Sequence, residues 1–113
     1  MKSFVALVAA LVALTAAATP LPRINEQGCV YLADLALVAR AHAAHGVNRA
    51  LSDAMVAQIY ALDAHAVRRL LAEQVSDAAY RASESRSPGA FATAFLARCT
   101  QTGDVAESLG KAL

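Results

Sequence analysis

Two cysteines, three histidines and a scatter of carboxylates are the residues of this chain whose chemistry could matter. Cys29 and Cys99 have only each other to pair with. Neither belongs to a Cys-x-x-Cys or Cys-x-x-Cys-His run, so a redox pair, a thiolate metal site and haem attachment all lack their usual companions. The reading that remains is a disulfide, which contributes about 4 kcal/mol by the chain-entropy argument. His42 and His45 stand three apart, a helical spacing at which two imidazoles can share one metal, and Asp34, Asp63 and His65 are further ligand types. Gly-x-Ser-x-Gly, His-Glu-x-x-His and glycine-rich phosphate-loop motifs are absent from the sequence. No pair of acids stands in a context for general acid/base work. Ser83, Ser85 and Ser87 read as turn and cap residues. The chain is therefore read as non-enzymatic, with no cofactor and no metal; His42 and His45 carry the alternative, a small-ligand or metal-binding bundle.

The element that must position most of these groups runs from Glu26 to about His45. Stepping 100° per residue puts Tyr31, Asp34, His42 and His45 on one stripe and leaves the remaining arc apolar except for Arg40. So wide an apolar face needs two neighbours. Gly46 follows where a left-handed cap would end the helix.

Ahead of this helix, Met1-Lys2, the apolar run Phe4–Leu14 and the small residues Ala16–Ala18 have the form of a secretory signal peptide, cleaved after Ala18. Residues 19–25, with Pro20 and Pro22, form an extended segment. Export puts the protein in the periplasm or outside the cell, without membrane insertion after cleavage. Lys2 leaves with the signal, and the ten Lys and Arg fall to nine against nine Asp and Glu. A neutral chain with dispersed charges excludes a nucleic-acid binder and offers no polybasic patch for a membrane.

Beyond Gly46, Asn48 caps a second helix over about Arg49–Leu62, in which Leu51, Met55, Ile59 and Leu62 recur at helical spacing. Asp63 caps a third, whose face is Val67, Leu70, Leu71, Val75, Ala78, Ala79 and Ala82, with Arg69–Glu73 and Asp77–Arg81 pairs on the other side. The three tyrosines, Tyr31, Tyr60 and Tyr80, read as core-edge residues with hydroxyls reaching water. Ser83–Gly89 is a polar loop; Ser87-Pro88 starts a fourth helix carrying Phe91, Phe95, Leu96 and Cys99, which Gly103 ends. Asp104 to Glu107 resembles a capping box, so residues 104–113 make a short helix or a frayed tail after the helical domain of residues 26–103.

The fold class is all-α: a small up-down-up-down four-helix bundle stapled by one disulfide, with a short fifth helix at the C-terminus. That topology brings Cys29 and Cys99 to the same end. It separates His42 and His45, read as solvent-facing, from Asp63 and His65 by roughly 20 Å, so these cannot form one metal site. At the end away from the disulfide it gathers Asn48, Arg49, Glu84 and Arg86, the candidate partner-binding residues.

In layout, a signal peptide followed by a helical domain with Cys29 and Cys99 as its one long-range disulfide resembles the periplasmic acid-stress chaperones and the immunity proteins that neutralise secreted cell-wall amidases. The runs Gly28–Ala36 and Ala79–Arg81 are similar to those of exported bacterial proteins. The resemblance implies a non-enzymatic, immunity-like or chaperone-like module that binds a protein partner in the envelope. A charge argument is consistent with acid-triggered action: with carboxylates protonated, nine Lys and Arg and three His repel one another unopposed.

Overall fold

The computed structural model describes residues 22–113. The signal-peptide reading and residues 19–21 lie outside that range. The described residues form five α-helices and no strand: α1 (Glu26–Ala44), α2 (Arg49–Ile59), α3 (Ala66–Arg81), α4 (Pro88–Thr102) and α5 (Val105–Ala112), with a 3-10 turn at Leu62–Ala64.

Local chemistry sets most of the boundaries. Asn25, Asn48, Ser87 and Asp104 each accept a backbone N–H of the helix they precede. Pro88 opens α4, where its missing N–H costs nothing. Gly103 closes α4 in the left-handed region, and a Cβ there would lie 2.7 Å from the carbonyl oxygen of Ile24. That contact is structural: the Ile24 N–H donates to the Gly103 carbonyl at 3.0 Å, and Arg23 donates to the Thr102 carbonyl at 2.7 Å. The segment before α1 is thus tied to the end of α4, where Cys29 and Cys99 form the disulfide with Cα atoms 5.7 Å apart.

Two expectations are corrected. First, α2 stops at Ile59 rather than Leu62, because the Tyr60 carbonyl accepts from the Tyr31 hydroxyl on α1 and Ala61 turns left-handed at φ 51°. Second, Asp63 falls within the 3-10 turn, and the N-cap position of α3 is His65, without a side-chain cap bond. The C-terminal segment, read as a short helix or a frayed tail, is a packed helix. Val105, Ser108, Leu109 and Ala112 recur on one face and are buried. Glu107 supplies only half of a capping box: its N–H bonds Asp104, while its carboxylate pairs with Arg98 on α4.

Packing is centred on α1, which lies against α4 and α3 more extensively than against α2; α5 folds back onto α4 and also reaches α3. The core holds Leu32, Leu35 and Ala36 of α1, Leu71, Val75 and Ala79 of α3, and Phe91 and Phe95 of α4. Contacts between ends show which termini meet. Cys29 at the start of α1 joins Cys99 late in α4, Tyr31 meets the end of α2, and Arg40 meets the end of α3.

Candidate functional site

The end away from the disulfide is built around Arg40. This side chain is only 4 % exposed, and it faces no carboxylate among the described residues. Its guanidinium instead donates to three carbonyls: Ala79 at 3.4 Å, Ser83 at 3.0 Å and Arg86 at 3.0 Å. Carbonyls at the end of a helix and in the loop that follows carry partial negative charge, and the planar fork of arginine can serve several at once. The sequence signal was Arg40 alone on an apolar arc. Tyr80 adds a bond from its hydroxyl to the Val47 carbonyl at 2.7 Å. The turn before α2 and the loop after α3 are thereby brought to one end.

The four candidate partner-binding residues do meet there. Asn48 caps α2 through its side chain. Arg49 pairs with Asp77 at 2.9 Å and with Asp53 at 3.5 Å. Arg86 lends its carbonyl to Arg40, and Glu84 is exposed beside the same arginine. The hydrogen bond from Arg49, reinforced by Arg81, holds the Asp77 carboxyl below the usual carboxylate range. Most of this end is therefore occupied with holding the fold.

The histidines are not a solvent-facing pair. His42 is half-buried, with Nδ1 2.8 Å from the hydroxyl of the buried Ser52 on α2, whereas His45 is exposed. No group of three His, Cys, Asp or Glu side chains placed to hold a metal occurs among the described residues. His65 lies at the other end, ahead of α3.

Near the disulfide end, the α1–α2 seam carries a polar cluster. The Tyr60 hydroxyl donates to Asp34 at 2.5 Å, the Tyr31 hydroxyl donates to the Tyr60 carbonyl at 2.8 Å, and the two rings meet edge to face at 5.4 Å. Burial and the bond to Asp34 push the Tyr60 hydroxyl well above the ordinary phenol range. All three tyrosine hydroxyls thus bond within the protein. Arg68 lies over the Tyr31 ring at 5.2 Å, beside a cleft of about 560 Å³ that Arg23, Ile24 and Leu71 also line.

The largest departure from expectation is on α2. Leu51, Met55 and Ile59, the apolar residues at helical spacing, are 56 %, 37 % and 60 % exposed, and only Ser52 and Val56 of this helix are buried. On the helical wheel, Asp53 and Ala57 lie on the flank facing α3, where they line a shared cleft, and the apolar stripe lies on the opposite flank. That flank adjoins the outer side of α1, where Val30 and Leu37 are also exposed and form a shallow groove with Leu96 of α4. α2 and α4 both pack on α1 but not substantially on each other, so this side of α1 stays open. Its one charge, Asp34, is already bonded to Tyr60. Val67 and Leu70 of α3 are exposed too: Val67 sits in the first turn and Leu70 far round from the Leu71–Val75–Ala79 stripe.

Fold and site together define a small all-helical protein, closed by one disulfide, with an open apolar side. No known family model matches the chain, and neither the characterised proteins nor the solved structures include a significant match to it.

Proposed function

We propose that this is an exported, non-enzymatic protein-binding module of the bacterial envelope, immunity-like or chaperone-like, whose binding surface is the open side of α1 and α2. The observation that carries this reading is the outward apolar stripe Leu51, Met55 and Ile59. A surface helix ordinarily turns its charges to water, and contiguous apolar patches on soluble proteins mark places that another surface covers. The leader-like composition of residues 1–18 and the disulfide support export; the bond is compatible with an oxidising, extracytoplasmic location. No helix among the described residues is long and apolar enough to cross a membrane. The matching of helix ends supports reading α1–α4 as an up-down-up-down bundle with α5 appended.

The test is capture from envelope extract with the oxidised protein, followed by direct titration of whatever is captured. Met55→Glu should abolish binding by burying a charge in the contact, and the Arg49→Ala/Arg86→Ala double variant should leave it largely intact. If the double variant loses binding and Met55→Glu does not, the site is the polar end and the apolar side is not the binding surface.

A further inference from the structure

Where α1 and α3 begin, a cleft of about 560 Å³ lies between the segment ahead of α1 and the first two turns of each helix, a volume within the range of small-molecule sites. Its apolar walls are Leu32 and Leu71, both buried, and the ring of Tyr31, which the hydroxyl bond to the Tyr60 carbonyl holds in place. Its charged walls are Arg23 and Arg68. Arg23 donates one N–H to the Thr102 carbonyl at 2.7 Å, and Arg68 lies over the Tyr31 ring at 5.2 Å. A guanidinium has five N–H donors, so both side chains are held and both keep donors for a ligand.

Charge is unbalanced at this cleft. Among the described residues no carboxylate lines it, and neither arginine forms an ion pair. The acids of the adjoining elements are turned away or engaged elsewhere. Glu26 lies on the opposite side of the α1 wheel from Gly28, Tyr31 and Leu32. Asp34 accepts from Tyr60, Asp104 caps α5 and Glu107 pairs with Arg98. The starts of two helices add partial positive charge to that of the arginines. At the far end of α3 the sign is reversed, and there Arg40 meets the closing carbonyls from within the chain. At the cleft, the matching anion has to come from outside. A carboxylate fits the planar edge of a guanidinium, and the leucines and the Tyr31 ring fit an apolar body attached to it.

We propose that this cleft binds a small organic acid, its carboxylate on Arg23 and Arg68 and its apolar body against Leu32, Leu71 and the Tyr31 ring. The site lies across α1 from Val30 and Leu37 of the open side, and the proposal does not depend on the protein-binding reading. The experiment is a titration of the oxidised, isotope-labelled protein with octanoate, followed by amide chemical shifts and by Tm. Octanoate should bind saturably, move the amides of residues 23–32 and 66–72, and raise Tm by mass action. Octanol, which has the body without the charge, and acetate, which has the charge with little body, should each bind weaker by roughly tenfold or more. Arg68→Gln and Arg23→Gln should each weaken octanoate by roughly tenfold or more. Arg68 is exposed, so its variant should keep the helical circular dichroism of the wild type. Arg69→Gln, at the neighbouring arginine that lines the α2–α3 cleft instead, should bind octanoate as the wild type does, and so should Met55→Glu. Acetyl-Leu-Leu with a free C-terminus distinguishes the source of the carboxylate: tighter binding than octanoate identifies a peptide end, weaker binding a free acid, and either satisfies the proposal. It is overturned if neither carboxylate binds, if the shifts fall on residues 51–59, if octanol binds as tightly as octanoate, or if folded Arg68→Gln binds like the wild type.

Discussion

α4 and α2 both lie on α1, and they use their apolar residues in opposite ways. α4 inserts Phe91, Phe95 and Cys99, all fully buried, and adds a covalent bond. α2 inserts a serine and a valine and turns its three largest apolar side chains outward. What attaches α2 is mostly polar and peripheral: Tyr60 to Asp34, Tyr31 to Tyr60, His42 to Ser52 and Arg49 to Asp77. One side of the molecule is held by packing and the other by a seam of hydrogen bonds. The packed side supplies stability, and the seam leaves an apolar surface exposed.

Substitutions can break or sharpen this contrast. Phe95→Ala should cost the most, about 3 to 5 kcal/mol in urea unfolding, because it empties a fully enclosed site. Ile59→Ala, equally apolar on paper, should change stability by no more than about 0.5 kcal/mol. Equal costs would mean that α2 packs as α4 does. Replacing Cys29 and Cys99 by serine should cost about 4 kcal/mol, measured against the oxidised wild type. Arg40→Met should cost about 2 kcal/mol, since it removes the guanidinium partner of the Ala79 and Arg86 carbonyls, and leaves Ser83 only its bond from the Arg86 N–H, while keeping most of the buried side-chain volume.

The smallest effect is on the acid limb. Arg49 and Arg81 hold Asp77 ionised below its ordinary range, so Asp77 adds stability above its unfolded value of about 4, and this is lost as pH falls through the folded value. Asp77→Asn should therefore flatten the fall of Tm below about pH 4 and alter Tm little at neutral pH. An unchanged acid limb would mean that the α2–α3 ion pair contributes nothing to the seam. Tyr60 has the opposite sign. Its raised hydroxyl favours the folded state at pH values below about 10 and ceases to do so as the phenol ionises, so Tyr60→Phe should reduce the alkaline sensitivity of α2.

Much of this protein is local and was legible in order along the chain. The caps at Asn48, Ser87 and Asp104, the glycine stop at Gly103 and the pairing of Cys29 with Cys99 each depend on a residue type at a defined place, and each is found as read. The all-helical class follows from the same signals. Periodicity could show that Leu51, Met55 and Ile59 share a stripe, because that depends only on the geometry of one helix. It could not show that the stripe faces outward. Tertiary packing decided this: the wedge between α1 and α3 admits Ser52 and Val56, and the Tyr60 and Arg49 ties fix the rotation that leaves the larger side chains outside. Arg40 and Leu109 teach the same lesson. A lone cation on an apolar arc and a leucine near the chain end become buried only where the end of α3 and the surfaces of α4 and α3 meet them. Sequence specifies which faces are apolar; which of them are covered depends on where the neighbouring helices lie.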